Sequence, residues 1–283
     1  GDIVGVYDAE DAPAPDQLRK VAATFATAPA HIACVQAVLD YYNARKNWLA
    51  RCFTLEYALW FRLVLPGLER LGLPLPLGGT SVFLKRQVLC ELGGWDAHNV
   101  TEDADLGIRL ARHGYRTELI DTVTHEEANC RPLPWIKQRS RWIKGYMMTW
   151  AVHMRQPRLL WRQLGPRGFM GFQALFLGTI AQFLLAPLLW SFMLLPFGFD
   201  HPLYAALPVA AVWTIAGFFF LSEAANIFIG AIGLGRTRHG LSPLWVLTLK
   251  VYYPLASLAA YKGLLELATR PFYWDKTTHG LFD

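Results

Sequence analysis

Three groups of side chains in this sequence have the types and spacing for joint chemistry. The first is Asp8, Glu10 and Asp11 in "YDAEDAP". Carboxylates two apart, just past an apolar run, can reach one hard divalent ion such as Mg2+ or Mn2+, which prefers carboxylate oxygens and substrate phosphates. The same letters also suit a turn closed by an Asp side chain before proline. The second group is Thr101, Glu102 and Asp103 in "VTEDADLGIRLARHGY". Thr101 reads as a helix N-cap, and first-turn acids such as Asp105 suit the positive end of the helix dipole. A base must stand beside the hydroxyl it deprotonates. Asp103, fixed by the turn, ionised and oriented by Thr101 and Glu102, fits that task. The third group is Gln138, Arg141 and Trp142 in "KQRSRWIKG". On a helix Gln138 shares a face with both of the others. An arginine there can bind a diphosphate through two hydrogen bonds, and an indole offers a flat face to a sugar ring. The competing reading is an amphipathic helix with tryptophan at the headgroup level of a membrane.

These groups need elements to position them. "IVGVYD" reads as a central strand ending at Asp8, and "PDQLRKVAATFA" has helical spacing. "HIACVQAVL" is a second strand, "NWLARCFTLEYALWFRLVLPGLERLG" a long helical stretch, and "GGTSVFLKRQVL" a glycine turn and a strand. "YRTELID" is another strand, and "LPWIKQRSRWIKGYMMTWAVHM" an amphipathic helix. Alternating strands and helices predict an α/β sheet. Ligands of such sheets bind at strand carboxyl ends, which places Asp8, Gly79 and the Asp103 loop on one edge. Gly79, Thr80 and Ser81 either donate hydrogen bonds there or form a simple turn. His125 in "VTHEE" reads as structural rather than as a metal ligand.

Composition divides the 283 residues unevenly. From Gly168 to Leu234 there is no Lys or Arg, and the acids are Asp200 and Glu223. A bilayer crossing takes roughly 20 apolar residues, so the stretch predicts two crossings joined by "PFGFDHP", with Glu223 and Asn226 facing a channel. "LWVLTLKVYYPLASLAAYKGLLEL", carrying Lys250 and Lys262, suits a helix lying in the membrane interface. The net charge is +5. Lys137, Arg139, Arg141, Lys144, Arg155, Arg158, Arg162 and Arg167 crowd before the apolar stretch, which reads as cytoplasmic membrane topology and attraction to anionic lipid rather than nucleic-acid binding. The four cysteines are dispersed, fitting a reducing compartment and arguing against zinc. The sequence opens on a strand with no signal peptide, so an amino-terminal part of the domain is expected to precede it.

A D-x-(D/E), then T-E-D, then Q-x-x-R-W, followed by membrane helices, resembles the processive glycosyltransferases of family 2, which include cellulose, glucomannan and hyaluronan synthases. "PLGGTSVFLKR", "GGWDAHNVTEDADLGIRL" and "PFYWDKTTHG" are similar to bacterial exopolysaccharide synthases of that family. The resemblance implies a GT-A type α/β domain, partial at its amino terminus, followed by an α-helical membrane region. It implies a catalytic portion over 1–134, amphipathic interface helices over 135–167, two transmembrane helices over 168–234, and a cytoplasmic loop, interfacial helix and tail over 235–283. Asp8 and Glu10 would hold Mg2+ or Mn2+ and the diphosphate of a UDP- or GDP-hexose, with Asp11 beside them and Arg141 on the leaving group. Asp103 would be the base, and Gln138, Trp142, Gly79 and Thr80 would lie at the acceptor and the channel mouth. Phe272, Trp274, Lys276 and Thr277 would be loose counterparts of a gating loop.

The implied activity is inverting hexosyl transfer to the end of a growing β-linked polysaccharide, extruded by a multi-pass protein of the inner or plasma membrane whose catalytic domain is cytoplasmic. Export or accessory subunits are expected partners, and nucleic acid is not. Transfer to a lipid acceptor, or an inactive membrane assembly subunit, are the alternatives.

Overall fold

The structure, a computed structural model, describes residues 1–237 and 239–273. Its strands are β1 (Ile3–Val6), β2 (Ala12–Pro13), β3 (Ile32–Tyr41), β4 (Val82–Lys85) and β5 (Arg116–Glu126). They form one sheet in the order β1-β4-β3-β5-β2. Only β3 and β5 run parallel; the other pairings are antiparallel. β3 is buried along nearly its whole length, as an apolar strand covered on both faces must be. Around the sheet lie α1 (Gln17–Thr27), α2 (Trp48–Leu59), α3 (Leu65–Arg70), α4 (Arg86–Glu91) and α5 (Glu102–Arg112).

Among the described residues β1 pairs with β4. Val4 and Val6 turn toward the core while Ile3 and Gly5 stay exposed, the alternation of a half-covered strand. One sequence expectation changes here: the strand in "GGTSVFLKRQVL" stops at Lys85 and becomes α4. Val88, Leu89 and Leu92 have helical spacing and pack on one core cluster.

The described residues that follow are mainly helical: α6 (Pro132–His153), α7 (Pro157–Phe172), α8 (Gly178–Ser191), α9 (Val209–Gly235) and α10 (Leu249–Thr269). A kink at Gly165, at φ 68°, followed by Pro166 breaks α7. A run from Pro157 to Phe197 and the helix Val209–Gly235 are long and apolar enough to cross a membrane. Only 22% and 17% of their apolar windows are buried, unlike the core helices of a soluble protein. α10 packs on α6 and α8 through Tyr252, Ala256, Ala259, Ala260 and Gly263, and shows Val251, Leu258 and Leu265 outward. The loop after α9 returns to the sheet, where His239 Nε2 meets Asp40 Oδ1 at 2.7 Å and Arg236 donates to the Arg62 carbonyl at 3.0 Å. That clasp ties the apolar helices to the carboxyl end of β3.

Candidate active site

The antiparallel pairing of β1 and β4 sets Val6 opposite Val82, so the loop after β1 lies against the loop before β4. The Asp8 amide donates to Asp11 Oδ2 at 3.0 Å and to Thr80 Oγ1 at 3.2 Å. The Thr80 hydroxyl donates to the same Asp11 oxygen. Half of Asp11 therefore closes the turn, while its buried Oδ1 has no hydrogen-bond partner. Burial raises the Asp11 carboxyl above its ordinary value. Asp8 itself is exposed and Glu10 partly so.

A fourth acid completes the cluster. Glu126 ends β5, opposite Tyr41 in the parallel pair with β3, at the sheet edge where ligands bind. Burial, then repulsion from Asp11, Asp8 and Glu10, holds its carboxyl well above the usual range, and Oε1 has no partner. Sequence reasoning missed Glu126; the sign was an acid at the end of a strand beside His125. The four acids suit a divalent cation in kind: hard oxygen donors, crowded, with two buried oxygens unpartnered. Among the described residues no three His, Cys, Asp or Glu side chains converge to hold an ion unaided. A cation here would rest on one or two carboxylates and on substrate phosphates.

Asp103 stands across from this cluster in the first turn of α5. Gly79 makes the approach possible: a Cβ there would lie 3.1 Å from Asp103 Oδ2. Asp103 Oδ1 accepts from the Ala104 amide at 2.8 Å. Burial pushes the carboxyl up to about 7, outweighing that hydrogen bond, and the charges of Glu102 and Asp8 add to the rise. Burial, and after it repulsion from Glu102 and Asp8, exceeds what the helix terminus offers, so Asp103 ionises as pH rises through about 7 rather than in the usual carboxylate range. A base with a pKa near neutrality is well matched to proton transfer at physiological pH.

The neighbours of Asp103 take different roles from those expected. Thr101 sits at the N-cap position without capping by its side chain. Its side chain packs instead on Gly145 of α6, where an added Cβ would lie 2.7 Å from the Thr101 Cβ. Asp105 is not a solvated dipole acid. It is buried, with Arg109 at 2.7 Å and His153 of α6 at 3.0 Å. Burial opposes its ionisation, yet those two partners hold its carboxyl below the ordinary value. These contacts fix α5, and so Asp103, against α6.

On α6, Gln138 is buried and accepts from Asn129 Nδ2 at 2.8 Å, tying α6 to the segment after β5. Arg141 is partly buried. Trp142 is packed more tightly than a free sugar platform would be. The Arg139 guanidinium lies 4.8 Å from its ring centre, and Phe53 and Tyr57 pack at 6.0 and 6.4 Å. Arg139 is itself gripped by Glu56 at 2.8 and 2.6 Å. Tyr146, one turn on, is a further residue the sequence reading missed. Burial and the Asp103 charge raise its hydroxyl pKa.

The tail begins close to this machinery. The Phe272 ring meets His98, in the loop leading to Thr101, at 5.6 Å. Lys144 of α6, fully buried, donates to the Tyr273 carbonyl at 2.6 Å. Trp274, Lys276 and Thr277 lie outside the described residues. Glu223 pairs with Lys250, joining α9 to α10, and Asn226 is exposed. A cavity of about 530 Å³ lined by His31, Glu69, Arg116 and Gln163 contains none of the expected catalytic residues.

A family model described as "Glycosyl transferase family group 2" matches residues 3–221. A protein of Synechocystis named beta-monoglucosyldiacylglycerol synthase is 32% identical over 56% of the chain and 33% of its own length. Glucomannan 4-beta-mannosyltransferase 7 of Arabidopsis thaliana is 24% identical over 94% of the chain and 46% of its own length. The chain thus spans from a third to about half of these relatives. A solved mannosyltransferase from Pyrobaculum calidifontis, in complex with GDP-Man and Mn2+, is 17% identical over 94% of this chain and 63% of that one, with a TM-score of 0.45.

Proposed function

The chain belongs to glycosyl transferase family group 2, with the mixed sheet and flanking helices of a GT-A domain, and on that premise we propose that Asp103 drives hexosyl transfer from a nucleotide sugar to the end of a growing polysaccharide. The observation that carries this reading is Asp103, which lies against Gly79 beside the Thr80 that bonds the Asp8 turn, with its carboxyl raised to about 7. Asp103 takes the proton of the acceptor hydroxyl as that oxygen attacks the anomeric carbon. The bond to the donor diphosphate breaks on the opposite side, and the configuration inverts. Arg141 offers a cation to the departing diphosphate, and the exposed side of Trp142 orients the terminal sugar. Asp8 and Glu10 would hold the Mg2+ or Mn2+, with Asp11 and Glu126 behind them. When bound, the ion supplies positive charge to the leaving group. The two apolar helices hold the domain at an inner or plasma membrane, catalytic side in the cytoplasm, supported by their length and outward apolar faces and by the arginines before the first.

A second reading, transfer to a lipid acceptor, is favoured by the relatives named beta-monoglucosyldiacylglycerol synthase. A donor screen decides between them. Membranes carrying the full chain are given labelled UDP-glucose, UDP-N-acetylglucosamine or GDP-mannose, and the products are split between organic solvent and insoluble polymer. Label in polymer is expected. Label confined to the organic phase makes the lipid reading correct. Failure to release nucleotide from any donor would point to an inactive assembly subunit.

A further inference from the structure

The eight basic residues before the apolar stretch divide sharply in the structure. Arg139 is taken by Glu56 and Lys144 by Glu266, and Lys137 and Arg141 have interactions within the protein. Arg155, Arg158, Arg162 and Arg167 are all exposed, and among the described residues no carboxylate pairs with them. They sit around the kink of α7. The buried side of its first half is fixed: Leu160 is fully buried with Ile108, Phe172 and Phe176, and Gln163 accepts from Arg112 at 2.7 Å. The opposite side therefore presents Arg158, Trp161 and Arg162, spaced three and four residues apart. The left-handed Gly165 then turns the chain, so that Phe169 meets Trp161 with ring centres 5.1 Å apart. The kink thus forms a recess lined by Pro157, Arg158, Trp161, Arg162 and Phe169, at the start of the helical run Pro157–Phe197 that is long and apolar enough to cross a membrane.

We propose that this recess binds the phosphate headgroup of an anionic phospholipid, with Arg158 and Arg162 on the phosphate and the Trp161–Phe169 pair against the glycerol and upper acyl chain. The chemistry fits. Arginine forks match phosphate oxygens, and an indole with one apolar and one polar edge settles at the headgroup level. Four cations with no acid among them select negative lipid. A soluble phosphate would use the arginines and leave the exposed aromatic pair and the adjoining apolar helix without a role, so the lipid is the occupant that accounts for every wall. The proposal rests on the membrane placement given above, and it makes the α7 kink the point at which lipid charge fixes the angle between α6 and the apolar helices.

The test uses the full chain in nanodiscs of phosphatidylcholine with a minor share of phosphatidylglycerol, released gently and weighed by native mass spectrometry. The wild type is expected to retain phosphatidylglycerol in preference to phosphatidylcholine. Arg158→Gln with Arg162→Gln should weaken that preference by roughly 30-fold, from about a fivefold loss per basic residue at the surface. Arg158→Lys with Arg162→Lys should keep most of it. Equal retention by the Gln variant overturns the proposal, as does loss of retained lipid on adding inorganic phosphate at millimolar levels. Failure of the wild type to enter nanodiscs at all would strike the membrane placement instead, and is read separately.

Discussion

Replacing Asp103 by Asn should make the protein more stable at alkaline pH even as it disables it. The reasoning starts from the raised carboxyl. An ordinary Asp in the unfolded chain titrates near 3.8, and Asp103 in the folded state near 7. The folded state therefore holds a proton that the unfolded state has lost between those values. Stability contributed by the protonated carboxyl is full below about pH 4 and is lost as pH rises to 7. The interval corresponds to about 4 kcal/mol if the site were fully shielded. Asp103 keeps partial contact with solvent, which screens charge, so about 2 kcal/mol is the working figure. Asn is neutral at every pH, and its Oδ1 can still accept from the Ala104 amide. Melting of the full chain in detergent, followed by intrinsic fluorescence from pH 4 to pH 8, checks this. Asp103→Asn should match the wild type near pH 4, begin to exceed it by pH 5, and melt higher by roughly 4–8 °C at pH 8, at about 2–4 °C per kcal/mol for a domain of this size. An equal difference at pH 4 and pH 8, or a variant that melts lower at pH 8, would refute the electrostatic account of this site.

Other substitutions probe the supports of Asp103 and the acid cluster. Gly145→Ala would drive a Cβ into Thr101 and should cost about 1–3 kcal/mol; transfer should fall further than stability, and Thr101→Ala should restore part of it in the double variant. Glu126→Gln should leave the fold intact and raise the Mn2+ concentration needed for half-maximal transfer, measured by metal titration after chelation; an unchanged titration would remove Glu126 from the site. Trp142→Ala should shorten the product more than it weakens donor binding, with a stability loss of about 2–3 kcal/mol because the ring is packed by Arg139 and Phe53. Product length is read on a gel, and an unchanged ladder would count against an acceptor role.

Local order was legible wherever one segment carried its own pattern. The periodicity of "LPWIKQRSRWIKGYMMTWAVHM" announced α6, and the apolar run "IACVQAVL" announced β3, because burial on one or both faces is written into neighbouring letters. Asp8, Gly79 and the Asp103 loop were placed on one edge because strand ends and the glycine turn mark it. What escaped depended on partners remote in sequence. Asp105 is a buried ion because His153 comes back to it, and Arg139 is buried because Glu56 waits for it. The pKa of Asp103 is a sum over the charges of Glu102 and Asp8 and over solvent excluded by the surrounding fold. Trp142 is instructive in another way. Its motif spacing was visible, but the cation stacked on it is Arg139, at a position the motif leaves unspecified.

The central claim is that Asp103 is the base of hexosyl transfer. The most direct measurement is single-turnover transfer of labelled hexose by wild-type and Asp103→Asn membranes, with donor binding measured on the same samples. The account predicts that donor binding survives and transfer falls by about 10²–10⁴-fold, the usual range for a general base. Transfer at the wild-type rate by the Asn variant, with donor bound equally well, would contradict it.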